Sequence, residues 1–247
     1  MTPSIEDKER IDIEDWRNHP HESPESDSVH NVINKVTDMP TLLESQRPFD
    51  AIFREATDVL ELGGGQGWAS CLLKRLYPGA RYTVTDISPY AVASVHKWER
   101  ILDVKIDRTA ACRSYEIPAE DATYDCVFTY ASAHHFMAHR KTLRELRRVL
   151  KPGGHAFYFH EPACRRWIYG PAYRRVNRLR PEVPEDVLVF PKILALAREA
   201  GLEAEFHFTP SLGKRGPTEF LYYLLLNRIP WLQQLLPCTG TFHFTRK

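Results

Sequence analysis

The run Val59-Leu60-Glu61-Leu62-Gly63-Gly64-Gly65-Gln66-Gly67 constrains this chain more than any other. Its apolar start reads as a buried strand, and the acid followed by alternating glycines reads as a turn into a helix beginning near Trp68. Without side chains at Gly63, Gly65 and Gly67, the backbone can bend sharply and admit a ligand at close range. The next helix points its unsatisfied N–H groups at the same place. Asp58-Val59-Leu60 and Tyr82-Thr83-Val84-Thr85-Asp86 supply two strands of a βαβ unit. Asp86 ends the second strand, where a ribose can be gripped through its hydroxyls. An adenosine-bearing cofactor is the first expectation.

A dinucleotide fingerprint needs a third glycine three residues after the second. Counted from either glycine pair, that place falls on Trp68 or Ser70, and an indole there would crowd a pyrophosphate. The spacing instead resembles the E-x-G-x-G-x-G signature of class I S-adenosylmethionine-dependent methyltransferases. Further blocks follow in order. Ile117-Pro118 with Ala122-Thr123-Tyr124-Asp125-Cys126-Val127-Phe128 is similar to the family's approach to its fourth strand. Ser132-Ala133-His134-His135-Phe136 is similar to the continuation, and Leu146-Arg147-Arg148-Val149-Leu150-Lys151-Pro152-Gly153-Gly154 to the stop before the fifth strand. The resemblance covers about residues 55 to 162. It implies a Rossmann-like α/β fold: a mostly parallel seven-stranded sheet with an antiparallel last strand and helices on both faces. It also implies S-adenosyl-L-methionine as cofactor.

Composition bounds the rest. A chain of 247 residues with 43% apolar content supports one sizeable core. A net charge of +1 gives no general argument for nucleic acid or membrane. Cys71, Cys112, Cys126, Cys164 and Cys238 are scattered with no C-x-x-C pair, as expected of reduced thiols in a cytoplasmic enzyme. With no apolar leader and no long apolar run, a soluble intracellular protein is expected.

Three regions are expected along the chain: residues 1–50 as an arm and cap helix, 51–162 as the cofactor-binding core, and 163–247 as a substrate-region insertion with the closing strands. Residues 1 to about 30 are acidic and proline-dotted and read as a mobile, solvated tail; Trp16, His19 and His21 raise the alternative of a lid. Val29 to Glu44 reads as a helix. In the core, strands are expected at 58–62, 81–86, near 104–109, 126–129 and 155–160. The near-repeats Phe206-His207-Phe208-Thr209 and Phe242-His243-Phe244-Thr245 alternate with period two and read as the last two strands. Glu219 to Leu236 reads as a core helix broken at Pro230, or as a lipid-facing or homodimer-forming surface.

The resemblance implies that Glu61, Gly63, Gly65 and Gly67 line the methionine part, that Asp86 takes the ribose and that Ile87 lies beside the adenine. Cys112, Arg113 and Thr129 complete the cofactor set. Arg113 stands where the family shows an acid and cannot accept a hydrogen bond from an adenine amine. For the chemistry, methyl transfer needs an aligned nucleophile and exclusion of water more than covalent help. An acceptor carrying a proton would use a base, for which His135, His160 and Glu161 are the candidates. His134, His135 and His139 invite a metal reading, but no carboxylate or cysteine adjoins them in sequence, so no metal is expected. Arg165, Arg166, Arg174, Arg175, Arg178 and Arg180, with Trp167, Tyr169 and Tyr173 interleaved, read as a solvated face or as the seat of an anionic small molecule. The expected function is methyl transfer to a small-molecule oxygen, nitrogen or carbon in a biosynthetic pathway. The rivals are a non-catalytic regulatory protein and an enzyme directed at RNA or lipid.

Overall fold

The computed structural model describes residues 5–19, 23, 26, 28–178 and 185–247. Among these residues eight strands, one more than expected, form one sheet: β1 (Asp58–Leu62), β2 (Arg81–Asp86), β3 (Arg108–Ala111), β4 (Tyr124–Tyr130), β5 (Leu150–Cys164), β6 (Leu188–Val189), β7 (Leu202–Phe208) and β8 (Cys238–Arg246). Their order is β3-β2-β1-β4-β5-β8-β7, with β6 paired to the end of β5. All neighbours are parallel except β8, which runs antiparallel to both β5 and β7. The helices are α1 (Ile5–Asn18), α2 (Val29–Gln46), α3 (Asp50–Glu55), α4 (Trp68–Leu76), α5 (Pro89–Ala93), α6 (Val95–Leu102), α7 (His139–Val149), α8 (Tyr169–Val176), α9 (Phe190–Glu199) and α10 (Pro217–Arg228).

The central strands are apolar on both faces because both faces are covered. Side chains alternate across a strand, so Cys126 and Phe128 of β4 join Phe157 and Phe159 of β5 on one side. Val127, Ala156 and Tyr158 face the other. The first face packs against Leu42 of α2, Phe53 of α3, Leu73 of α4 and Trp98 of α6. The second packs against Leu143 and Leu146 of α7 and Ile193 and Leu196 of α9. Pro89 starts α5 behind the Ser88 side chain, which accepts from the Ala91 N–H at 3.3 Å.

Four expectations need correction. Residues 5–18 are no solvated tail: they form α1, and Glu9 within it is only 6% exposed. β3 lies a few residues later than expected, and β5 runs on to Cys164. The break expected at Pro230 is present: the helix after β7 stops at Arg228, and a separate 3₁₀ turn spans Pro230–Gln234. That region is only partly core, because Tyr223 and Leu226 are buried while Leu221 and Trp231 are exposed. No helix among the described residues is long and apolar enough to cross a membrane. All five cysteines are free.

Candidate active site

The ends of β1, β2, β3 and β4 open onto one cavity of about 400 Å³, roofed by α1 and α2. Position follows from topology: in an open α/β sheet the crevice lies beyond the carboxyl ends of the strands, where the strand order reverses.

Glycine is required along the first turn for two reasons. Gly63, Gly65 and Gly67 have φ of +67°, +55° and +71°, a region that side-chain-bearing residues seldom enter. A Cβ on Gly63 would also stand 2.3 Å from Ser132 Oγ. The turn is pinned by backbone bonds: Gly64 N–H donates to Thr85 O and Gly67 N–H to Gly64 O, each at 2.8 Å. Asp86 completes the cradle. Its Oδ2 accepts from Gly65 N–H and its Oδ1 from Ser88 N–H, both at 2.8 Å, and the residue lines the cavity. Beneath lies Glu61, 2% exposed, accepting from Ser70 N–H at 3.0 Å. Burial pushes its carboxyl up to about 8.

The roof comes from the N-terminus. Arg113 Nε and the Tyr115 hydroxyl each donate to Glu9 at 2.8 Å, and the Arg17 guanidinium lies 4.0 Å from the Tyr90 ring centre. These contacts tie α1 to the loop after β3 and to α5. Between them Trp16 approaches Gly65, and its buried Nε1 has no acceptor in the protein. A buried indole N–H without a partner, on the wall of a cavity, is a donor placed for a ligand. Glu9, held by these two donors, lines the same cavity.

The other end of the cavity is built by a different device. At His160 the chain takes φ +55° and the β5–β8 register slips between Tyr158 and Glu161. Such an irregularity re-aims the next side chain. The Glu161 carboxylate, fully buried, sits under the loop after β4. Ser132 and Ala133 N–H donate to its Oε1 at 2.9 and 2.8 Å, and His134 N–H donates to Oε2 at 3.1 Å. The His134 ring meets the same oxygen through Nδ1 at 2.8 Å. Burial resists ionisation, but the His134 ring and the loop N–H groups hold this carboxyl below its ordinary range. His134 and His135, on the 3₁₀ turn Ala133–His135, then face the cavity together with Glu185.

Of the residues expected from the sequence, Glu61, Gly63, Gly65, Asp86, Ile87, Cys112 and His135 stand on this one cavity. The others stand elsewhere. Gly67 caps α4, and a Cβ there would meet Val95 at 3.0 Å. Arg113 turns to Glu9 and Glu116 along a neighbouring cleft. Thr129 is buried within β4, its hydroxyl without a partner in the protein. His160 stacks behind Tyr130 at 5.7 Å between ring centres, and burial, with Arg215 nearby, pushes it down to about 4. Glu161 accepts from the backbone N–H groups of residues 132–134 and meets the His134 ring through Nδ1. His139 begins α7 instead of sharing a helical face with His135, and burial pushes it down to about 4. None of Arg165, Arg166, Arg174, Arg175 or Arg178 lines the cavity, and Arg180 lies outside the described residues, as does His21. Trp16, Glu9, His134 and Glu185 are what the sequence reading underrated. Only Trp16, an indole in an acidic segment, carried a local signal.

Comparison with known proteins agrees with this architecture. Residues 60–158 match the family described as a methyltransferase domain. The chain is 28% identical over 116 residues to a demethylmenaquinone methyltransferase from Thermus thermophilus, an overlap of 47% of this chain and 52% of the relative. It is 29% identical over 104 residues to a fatty-acid O-methyltransferase from Mycolicibacterium smegmatis, 42% of this chain and 37% of that one. The chain therefore spans about half or less of the length of these curated relatives. A geranyl diphosphate C-methyltransferase from Streptomyces coelicolor, solved with Mg²⁺, geranyl diphosphate and S-adenosyl-L-homocysteine, superposes with a TM-score of 0.67 over 97% of both chains at 12% identity, a likeness of fold. Sheet order, glycine turn and strand-end crevice define a Rossmann-like nucleoside-binding core. Over residues 60–158 the chain is similar to the methyltransferase-domain family, and the fold around that stretch is that of the superposed methyltransferase.

Proposed function

We propose that this chain is a cytoplasmic S-adenosylmethionine-dependent methyltransferase acting on a small molecule in a biosynthetic pathway. The observation that carries the reading is the cradle itself: left-handed glycines at 63 and 65, the Asp86 carboxylate beside them, and the partnerless Trp16 N–H above. Gly63 and Gly65 give room for the amino-acid part, and Asp86 accepts from the ribose hydroxyls. Ile87 and Cys112 flank the adenine, with Glu9 on the same wall. When bound, the cofactor supplies an activated methyl group on a sulfonium. The protein's contribution is to hold an acceptor in line with that methyl and to keep water out. α1 does the second task by closing over the turn.

The acceptor would enter between Tyr130, Phe136 and Met137 on one side and His134, His135 and Glu185 on the other. That lining favours an apolar ring or chain with one polar reacting end. The relatives named for a quinone and a fatty acid fit such an acceptor. An anionic acceptor held by the arginines of residues 165–178 has less support, since those side chains lie off the cavity. A homodimer would cover the exposed strip of Leu221, Leu225 and Trp231.

Incubation with methyl-labelled S-adenosylmethionine and a fractionated cell extract tests the reading. Label should appear in small organic-soluble molecules. Cofactor binding without label in any fraction would favour the non-catalytic alternative, and label in RNA would move the acceptor class.

A further inference from the structure

We propose that His134, His135 and Glu185 form a binding site for one divalent first-row transition ion at the acceptor end of the cavity. The inference rests on the functional reading above, because it places the ion where the acceptor's polar end would lie. A nitrogen from each imidazole and an oxygen from the carboxylate lie within 4.8 Å of one another. Bond lengths of about 2.0–2.2 Å would bring them to roughly 3.3 Å apart around a tetrahedral ion, a closure within reach of side-chain rotation. All three side chains face the cavity, so the remaining coordination positions open onto it.

The surroundings are those of a braced ligand set rather than a chance meeting. The His134 ring is bonded through Nδ1 to the fully buried Glu161 at 2.8 Å, which fixes the ring and leaves Nε2 to coordinate. A carboxylate on the far nitrogen of a metal-binding imidazole is the recurrent supporting contact in such sites. Glu185 is held just as firmly by its backbone. Its N–H donates to Asn177 Oδ1 at 2.7 Å, and its carbonyl accepts from Asn177 Nδ2 at 2.8 Å. Asp186 then joins the two segments. Its N–H donates to His134 O at 3.4 Å, while its carboxylate accepts from the Tyr169 hydroxyl at 2.8 Å. Two histidines and one carboxylate select zinc, iron, cobalt or nickel over magnesium or calcium, which prefer oxygen donors throughout. The ion's open positions would take an oxygen, nitrogen or sulfur of the acceptor. That assigns the acceptor class: a molecule with a coordinating atom at its reacting end.

A second trio, Glu205, His207 and His243, serves as an internal control. Glu205 and His207 are exposed on one strand, with no buried carboxylate behind either ring.

The test is titration of the chelator-stripped full chain with Co(II) and Zn(II), followed by visible absorption and calorimetry, with no cofactor present. One equivalent should bind. His135→Ala and Glu185→Gln should each weaken binding by about 100-fold or more. Asn177→Ala should weaken it by about tenfold through its hold on Glu185. His207→Ala should bind like the parent, and thermal unfolding should show every variant folded. No stoichiometric uptake by the parent would overturn the proposal, as would unchanged affinity in Glu185→Gln or loss confined to His207→Ala. A separate titration with S-adenosylmethionine judges the cofactor reading, so the two can fail independently.

Discussion

The two ends of the cavity are built on opposite principles. At the cofactor end, short contiguous segments do the shaping through backbone conformation: left-handed glycines at 63 and 65, and an acid one strand later. At the acceptor end, the shape comes from side chains far apart in sequence. Glu161, on β5, holds the loop 132–134 from beneath, and Glu185 arrives from beyond α8. The first end fails if a Cβ is added; the second fails if a buried carboxylate is removed.

Substitutions at each end sharpen that contrast. The largest effect should come from Glu161→Ala, which leaves the loop N–H groups at 132–134 and the His134 ring without their acceptor. Losing a buried, fully paired charge costs about 3–5 kcal/mol, which thermal or denaturant unfolding would register. An unchanged melting temperature would mean that the loop stands without it. Next comes Gly63→Val. A branched side chain at φ +67°, with its Cβ meeting Ser132, should weaken cofactor binding by about 100-fold. Unchanged affinity would mean that the turn does not touch the cofactor. Asp86→Asn keeps the shape but removes the charge that strengthens its hydrogen bonds, and should weaken the cofactor about tenfold by calorimetry.

A smaller effect follows pH. Glu61 has a folded-state value near 8 against 4.5 for the free group, so the folded chain retains a proton that the unfolded chain releases. The contribution of this group to stability should therefore be complete below pH 4.5 and should be lost as pH rises through about 8. Glu61→Gln should flatten that slope in melting curves, and an equal slope would assign it to other groups. The smallest change is expected from Glu9→Gln, which weakens but does not remove the ties from α1 to Arg113 and Tyr115. Cofactor affinity should fall only a few-fold, chiefly through faster release in stopped flow.

Why one end was legible and the other was not follows from the same contrast. Periodicity and turn chemistry are local, so β1 and β2 could be bounded to the residue, and the glycines and Asp86 were read directly. β3 was displaced because Arg108–Ala111 is short, at the sheet edge and only partly buried, with no apolar run to mark it. The end of β5 was cut short because the left-handed residue at His160 has no signature in its residue type. The bonds from Glu161 to the His134 ring and its loop were not legible either, since they depend on that irregularity. α1 was read as a tail because its acidic composition masks the few residues that dock it, Glu9, Trp16 and Arg17. Glu185 could not be connected to the histidines from sequence at all, because the Asn177 clamp that brings it there is a tertiary contact.

The most direct test is calorimetric titration of the 247-residue chain with S-adenosyl-L-homocysteine, run beside Gly63→Val and beside NAD. The cradle described above requires one site for the nucleoside, its loss in the valine variant, and no comparable heat from the dinucleotide. Absence of binding to the parent chain, or equal binding to the variant, would contradict it.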